Sequence, residues 1–268
     1  MSDIADKTAE NLQLIRQDKP LIHNITNFVV MNYTANVLLA MGASPVMAHA
    51  REEVEEMVSY AGSLVLNIGT LSDLWIESMI KAGRKATKTG TPIIFDPVGS
   101  GATHFRTSTA KTLLDETVVS IIRGNSSEIL SLGDPDSMTK GVDAMHTVDD
   151  AAETSSQLAK ELGTTLAITG PVDLITDGVR VVRVENGDAM MPYVTGTGCS
   201  ATAVIGAFAA VEKNMVAAAA GGLAFIGLAG EKAAETSRGP GSFMIALLDA
   251  LYNLTPEEVK AGCRIVEA

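Results

Sequence analysis

The sequence is poor in cysteine, in aromatic residues and in basic charge. Its two cysteines, Cys199 and Cys263, lie far apart in a chain of 268 residues, a spacing that fits neither a disulfide framework nor a structural zinc site. Aromatic residues make up 4% and hydrophobic residues 46%, which argues against extensive disorder and favours closely packed helices on a sheet. Four histidines in no metal-binding pattern are interpreted as surface or supporting groups: His23, His49, His104 and His146.

Basic residues are outnumbered by acidic ones, 20 to 32, which gives a formal net charge of −12. A surface of that charge repels a phosphate backbone, so we expect no nucleic-acid partner. One mononucleotide is still compatible, because local donors outweigh a distant, screened charge. Backbone amides, a metal ion and one or two basic residues would have to hold it.

The sequence also lacks a long uninterrupted apolar run. The longest lies within Val216–Gly230 and is shorter than the ~20 residues of a membrane span, so we interpret it as a buried helix and expect no membrane partner. The segment Met1–Lys19 is polar and acidic, without the apolar core of a signal peptide. We therefore expect a cytoplasmic protein.

Short Val- and Ile-rich runs alternate with longer segments whose apolar residues have helical spacing. This alternation predicts an α/β fold with a mainly parallel central sheet. The turns Asp177-Gly178 and Asn186-Gly187 predict a small antiparallel meander of 174–176, 179–184 and 189–193. No repeat or linker is visible, so we predict one domain over residues 1–268. The predicted parallel strands are Leu21–Ile25, Ser44–Met47, Ser63–Asn67, Pro92–Phe95, Val118–Ile122 and Thr165–Thr169.

A glycine-rich segment, Val194–Ser200, precedes a long Ala-rich helix. Its two inner glycines let successive N–H groups face one point, and the helix dipole adds partial positive charge there. The segment is neither a Walker loop nor a G-x-G-x-x-G loop. By itself it fits an anion-binding turn and an ordinary glycine turn about equally well.

Further chemical groups follow the predicted strands, where ligands of parallel sheets bind. Cys199 falls in the first helical turn, where the dipole is expected to acidify a thiol, although most free cysteines are small buried hydrophobes. Asp96 suits a metal-bound phosphate, and Arg123 suits a nucleotide phosphate. Glu128 either completes a capping box with Asn125 or orients a magnesium ion. Together these groups predict phosphoryl transfer.

The motifs resemble the ribokinase-like superfamily, and more closely the hydroxyethylthiazole kinase family of thiamine biosynthesis. The resemblance rests on Asp96–Gly99, Arg123–Glu128 and Thr195–Cys199, and it extends from about His23 to about Asp249. Most kinases of the superfamily carry an aspartate where this chain has cysteine, and cysteine there is typical of the thiazole kinases. The resemblance implies a three-layer αβα sandwich and phosphorylation of the hydroxyl of hydroxyethylthiazole by ATP.

The resemblance also implies roles for individual residues. Cys199 would be a modest catalytic base, and Asp96 and Glu128 would organise Mg²⁺. A homotrimer with active sites between subunits is implied as well, which composition does not indicate. The residues implied to bind the thiazole are Asn24, Thr26, Met47, Asn67, Gly69 and Gly196, and those implied to bind ATP are Arg123, Thr169, Thr195, Thr197 and Gly198.

Three alternatives stay open from the sequence. ATP-dependent dehydratases of hydrated nicotinamide nucleotides share the superfamily, but they are expected to keep aspartate at position 199. Kinases of pyridoxal or of hydroxymethylpyrimidine are rivals with the same chemistry. A non-catalytic nucleotide-binding module is the third, and the intact set Asp96, Glu128, Gly198 and Cys199 argues against it.

Overall fold

The computed structural model describes residues 4–133 and 148–267, so His146 lies outside the described residues. Within them, nine strands form one sheet: β1 (Leu21–Ile25), β2 (Ser44–Val46), β3 (Ser63–Asn67), β4 (Ile93–Asp96), β5 (Ile121–Asn125), β6 (Thr165–Thr169), β7 (Asp173–Thr176), β8 (Val181–Val184) and β9 (Ile265–Glu267). The spatial order is β2-β1-β3-β4-β5-β6-β7-β8-β9. Strands β1 to β6 pair in parallel, and β7 to β9 continue the sheet in antiparallel pairs.

Helices cover both faces of this sheet. One face carries α1 (Ile4–Asp18) and α2 (Met31–Met41), and the other carries α3 (Val54–Tyr60), α4 (Asp73–Thr89), α5 (His104–Glu116), α6 (Ser126–Leu130) and α7 (Val148–Leu162). The C-terminal helices return to the first face: α8 (Thr197–Ala209), α9 (Met215–Thr236), α10 (Pro240–Asn253) and α11 (Pro256–Gly262).

Strand β3 shows why two layers of helices are needed. Val65 belongs to the core on the α8 side, whereas Leu64 and Leu66 belong to the core on the α4 side, because successive side chains of a strand point to opposite faces. All of β3 is buried, as expected for a parallel strand covered on both faces. The predicted three-layer αβα fold class is confirmed.

Helix α9 is long and apolar enough to cross a membrane, but 83% of its apolar stretch is buried inside the protein. Its small residues allow close packing, since a Cβ on Gly222 would lie 3.0 Å from the Cα of Ile205 on α8. We therefore interpret α9 as a core helix, in line with the interpretation of Val216–Gly230 from the sequence.

The prediction of a third meander strand at residues 189–193 is wrong. Met191–Tyr193 form a short 3₁₀ helix instead, and Pro192 within it lacks the N–H that a strand ladder requires. The third antiparallel strand is β9, whose Ile265 pairs with Val184. No strand was predicted at the position of β9.

Strand β5 begins and ends three residues later than predicted. Val118, the predicted start, is 67% exposed, and the strand runs on to Asn125, which pairs with Thr169 of β6. The segment Arg123-Gly124-Asn125 therefore lies on the strand itself, and α6 follows it directly.

Helix α8 approaches β3 most closely at Gly206. A Cβ on Gly206 would lie 2.8 Å from Cγ2 of Val65, and the Ser63 hydroxyl donates a 2.8 Å hydrogen bond to the Gly206 carbonyl.

We expect Gly206→Ala to lower the free energy of unfolding by about 1–3 kcal/mol through overpacking, measured by denaturant unfolding. Gly241→Ala is the control, because a Cβ there meets no atom within 4 Å. Equal effects of the two substitutions would contradict the close approach.

Candidate active site

The carboxyl ends of the six parallel strands meet at one edge of the sheet, and the predicted site residues lie there. Asn24 is on β1 with Thr26 just after it, and Met47 follows β2. The remaining strands end at or next to polar groups, which are Asn67 on β3, Asp96 on β4, Arg123 on β5 and Thr169 on β6. The prediction that these residues share one edge is confirmed.

The start of α8 forms a cradle for an anion. Gly196 precedes the helix with φ +93°, and a Cβ on it would lie 2.9 Å from Cγ1 of Val30, so glycine is required for both reasons. Among the described residues, the amides of Gly198 and Cys199 have no hydrogen-bond acceptor. Free amides at the N-terminus of a 13-residue helix attract negative charge.

The guanidinium of Arg123 lies against this cradle. A Cβ on Gly198 would be 2.9 Å from one terminal nitrogen of Arg123, so a side chain there would displace the guanidinium. The other terminal nitrogen donates a 2.8 Å hydrogen bond to the Thr169 hydroxyl, and Nε has no partner among the described residues although it is buried. Arg123 and Thr169 are thus held together beside the cradle, and the Nε–H of Arg123 is left without an acceptor among the described residues.

Asp96 is a buried carboxylate, 1% exposed. Its Oδ2 accepts hydrogen bonds from Thr202 Oγ1 and Asn67 Nδ2, both at 2.8 Å, and lies 3.9 Å from Arg123. Oδ1 has no partner among the described residues. Burial raises the pKa of Asp96 to about 6, while the Arg123 charge and the two hydrogen bonds act in the opposite direction.

Glu128 forms the capping box that was one of its two predicted roles. Its Oε2 accepts the Asn125 N–H at 2.9 Å, and the Asn125 side chain accepts the Glu128 N–H at 2.9 Å. Its Oε1 accepts the Gly99 N–H at 2.8 Å, which ties the loop after β4 to α6. Each carboxylate oxygen retains a lone pair, because one hydrogen bond does not saturate it.

These oxygens suit a hard cation. The unpartnered Oδ1 of Asp96 and the carboxylate of Glu128 are the kind of ligands that Mg²⁺ takes, usually one or two carboxylates completed by phosphates and water. The described part of the chain holds no cluster of three acidic, histidine or cysteine side chains. A metal held here would therefore take its remaining ligands from other oxygen atoms, such as those of water or of a bound phosphate.

A chain of two amides links Asp96 to the thiol of Cys199. Asn67 donates to Asp96, and Asn27 Nδ2 donates to Asn67 Oδ1 at 2.8 Å and to Cys199 Sγ at 3.4 Å. Asn67 Oδ1 also accepts the Gly69 N–H at 3.0 Å. The structure thus brings Asn67 and Gly69, predicted near the thiazole, to the predicted catalytic sulfur.

The predicted acidification of Cys199 is wrong. Burial, and after it the charge of Asp96, raises the pKa of this thiol to about 11. The hydrogen bonds from Asn67 and Asn27 and the charge of Arg123 lower it, but they do not compensate. Cys199 is therefore a neutral thiol near pH 7, despite its place at a helix N-terminus.

The remaining predicted site residues differ in burial and in hydrogen bonding. Asn24 and Thr26 are buried, and Asn24 Oδ1 has no partner among the described residues. Thr195 is exposed. The Thr197 hydroxyl donates to the carbonyls of Met191 and Val194 at 3.0 and 3.1 Å. Its N–H donates to the Val194 carbonyl at 3.4 Å, so the free donors of the anion cradle are the next two amides, not those of Thr197.

Several residues of the site were missed from the sequence. Thr202, one turn after Gly198, was detectable from its helical spacing, and Asn27 from its place in the polar segment after β1. No sequence pattern indicated a role for Arg106. Its guanidinium donates to the carbonyls of Ile68, Val98 and Gly69 and so joins the loops after β3 and β4.

His23 was grouped with surface or supporting residues, and the structure shows it as a supporting residue. It is fully buried on β1, and its Nε2 lies 2.7 Å from the Ala48 carbonyl. Burial lowers the pKa of His23, so it holds the loop after β2 as a neutral group.

A cavity of about 730 Å³ opens beside the cradle, a size that suits a nucleotide. Arg123, Thr169 and Gly198 contribute polar groups to its lining. Apolar residues from α9 and from the loop before α8 line it as well: Leu223, Ile226, Met191 and Pro192. The thiazole-binding candidates Asn24, Thr26, Met47 and Asn67 are not part of this lining.

Sequence and structure comparisons identify the family. The model of the hydroxyethylthiazole kinase family matches residues 12–257. The chain belongs to the hydroxyethylthiazole kinase family. A relative named hydroxyethylthiazole kinase from Desulfotalea psychrophila is 67% identical over 268 residues, which is 100% of this chain and 98% of the relative. One of the same name from Desulfosudis oleivorans is 54% identical over 267 residues, covering 99% of this chain and 97% of the relative.

Solved structures agree with the family assignment. A hydroxyethylthiazole kinase from Pyrococcus horikoshii OT3 superposes with a TM-score of 0.89 at 43% identity, covering 98% of this chain and 99% of that one. A ribokinase-like superfamily protein from Enterococcus faecalis V583, with a TM-score of 0.67 at 13% identity over 96% of this chain and 95% of that one, shares the fold. The family and its phosphotransferase class, both predicted from the sequence, are confirmed.

The raised pKa of Cys199 can be tested through its neighbour. We expect Asp96→Asn to lower the pKa of Cys199 by roughly one pH unit, because removal of a negative charge favours the thiolate. Ultraviolet titration of the thiolate in a Cys263→Ser background measures it, since burial raises the pKa of Cys263 to about 12 as well. Asp173→Asn is the control, because Asp173 is a half-buried aspartate whose pKa is likewise raised to about 6 but which does not act on Cys199. An unchanged Cys199 pKa in Asp96→Asn would contradict the assigned cause.

Proposed function

We propose that this protein transfers the terminal phosphoryl group of ATP to the side-chain hydroxyl of hydroxyethylthiazole. The observation that carries the proposal is the contact between two halves of a site at Gly198-Cys199. On one side, Arg123 lies against Gly198 beside the nucleotide-sized cavity. On the other, the Cys199 sulfur is joined through Asn27 and Asn67 to the end of β3. A phosphoryl donor and an alcohol acceptor would meet at this dipeptide.

The groups around Gly198 would neutralise the negative charge of the ATP phosphates. Free amides at the start of α8 and the guanidinium of Arg123 offer donors without any rearrangement, and preorganised donors stabilise the charge that spreads over a transferring phosphoryl group. Asp96 and Glu128 would hold Mg²⁺. When bound, Mg²⁺ would supply further charge neutralisation at the phosphate oxygens.

The acceptor side needs only a weak base. In a loose phosphoryl-transfer transition state the attacking alcohol keeps its proton until late. A neutral thiol that Asn27 orients would accept a hydrogen bond from the hydroxyl at its sulfur and so position it. The hydroxyl proton would pass to an oxygen of the transferred phosphoryl group as the new bond forms. The high pKa of Cys199 agrees with this modest role and argues against a thiolate nucleophile.

The assembly, pathway and location are proposals as well. We propose one kinase domain over residues 1–268, a homotrimer with active sites between subunits, and a cytoplasmic enzyme of thiamine biosynthesis. An exposed apolar group near the acceptor side supports such an interface. Phe28 and Val29, which follow Asn27, are each 66% exposed, and Leu74 is 71% exposed. Phe28 stacks on Trp75 with ring centroids 4.3 Å apart.

A substrate panel tests the proposed reaction. Purified protein is incubated with ATP, Mg²⁺ and, separately, hydroxyethylthiazole, pyridoxal, hydroxymethylpyrimidine and hydrated nicotinamide nucleotide, and products are identified by mass spectrometry. We expect ADP and phosphorylated thiazole in equal amounts. Phosphate release that requires the hydrated nucleotide would support a lyase, and ATP binding without turnover on any compound would support a binding module.

Variants at Cys199 test the proposed acceptor-side role. We expect Cys199→Ala to lower kcat by roughly 10²-fold, the scale seen for groups that assist proton transfer. We expect Cys199→Asp to retain activity, because a carboxylate can accept the same hydrogen bond from the hydroxyl and can also take its proton. Cys263→Ala is the matched control, since this second cysteine lies at the end of α11. Full activity of Cys199→Ala would remove this thiol from the mechanism.

A further inference from the structure

Two carboxylates line the nucleotide-sized cavity together with Arg123. They belong to Asp173, the first residue of β7, and Asp188, in the loop before the 3₁₀ helix. A carboxylate in a cleft for a polyanion repels the phosphates. It is tolerated where the ligand presents a hydrogen-bond donor to it, because a donor then replaces the lost water.

Asp173 is the carboxylate next to the phosphate-binding groups. The antiparallel pairing of Ile168 with Leu174 sets Asp173 beside Thr169, whose hydroxyl accepts the 2.8 Å hydrogen bond from Arg123. Burial raises the pKa of Asp173 to about 6, and the Arg123 charge acts to lower it. The side chain is therefore largely ionised at neutral pH and lies close enough to Arg123 to feel its charge.

One oxygen of Asp173 is free for a ligand. Oδ1 accepts the Gly170 N–H at 3.0 Å, while Oδ2 has no hydrogen-bond partner among the described residues and is not sealed in the interior. Asp173 lines the cavity, so the unpaired oxygen belongs to a group that a bound nucleotide contacts.

The donors of a nucleotide nearest to its phosphates are the ribose hydroxyls. The amino group of the base lies farther away, and the apolar residues Leu223 and Ile226 suit the base itself. We propose that Asp173 accepts a hydrogen bond from a ribose hydroxyl and makes the enzyme select ribonucleotides over deoxyribonucleotides. The inference rests on the proposed use of ATP. A hydrogen bond to a charged group corresponds to a discrimination of about tenfold or more.

Asp173→Asn isolates this hydrogen bond. The asparagine oxygen can still accept the Gly170 N–H, but its amino group cannot accept a hydroxyl proton. It can only donate to the hydroxyl oxygen, a neutral hydrogen bond that is weaker than one to a carboxylate. Calorimetry with Mg²⁺ measures the Kd of ATP, 2′-deoxy-ATP and 3′-deoxy-ATP for wild type and variant. We expect the wild type to bind at least one deoxy analogue about tenfold more weakly than ATP, and Asp173→Asn to lower that ratio severalfold, because a neutral hydrogen bond replaces a charged one.

Asp188→Asn is the matched control. Asp188 lines the same cavity, and its Oδ1 likewise accepts one backbone N–H, from Met190 at 2.8 Å. The substitution removes the same charge, so we expect it to keep the wild-type ratio even if all three affinities change together.

The outcomes separate this inference from the proposed function. Equal wild-type affinity for ATP and both analogues overturns the role of Asp173 without need of a variant, and so decides the case if Asp173→Asn does not fold. Retained discrimination in Asp173→Asn, or its loss in Asp188→Asn, overturns it too. None of these results argues against the proposed kinase function. A wild type that binds no ATP, in contrast, overturns both the proposed function and this inference.

Discussion

The buried carboxylate of Asp96 is the interaction on which the site depends. An ionisable group that is 1% exposed is costly unless it is hydrogen-bonded, and its partners come from three different elements. Asn67 reaches it from β3, Thr202 from α8, and the charge of Arg123 from β5. The requirement to satisfy this one group therefore fixes how the first turns of α8 sit over the strand ends, and with them the anion cradle.

The same carboxylate sets the character of the thiol. Burial is the larger cause of the raised pKa of Cys199, and the charge of Asp96 raises it further. Through Asn67 and Asn27, Asp96 also orders the donor that contacts the sulfur. An aspartate at position 199 would place a second carboxylate near Asp96, and like charges at short distance resist joint ionisation. A thiol avoids that repulsion, because it stays neutral while remaining polarisable and close to the proposed acceptor position.

Much of the frame was predictable because it depends on local sequence. Strands β1, β3 and β6 have the predicted bounds, since each is a short apolar run between clear turn or helix signals. The position of Asp96, Arg123 and Thr169 at one edge followed from the parallel topology alone. The start of β5, the strand β9 and the contacts of Arg106 depend on tertiary pairing, which no local pattern contains. The predicted direction of the Cys199 pKa shift was wrong for the same reason. The helix dipole is a local effect, whereas burial and the proximity of Asp96 arise only on folding.

The stack of Phe28 on Trp75 has a practical consequence. The chain contains a single tryptophan, and its ring lies against the residue that follows Asn27, the donor to the Cys199 sulfur. Tryptophan emission, excited at wavelengths where the four tyrosines do not absorb, thus comes from one known place beside the proposed acceptor side of the site. The protein carries its own optical probe for events at this loop, and the tryptophan signal needs no deconvolution among several indole rings.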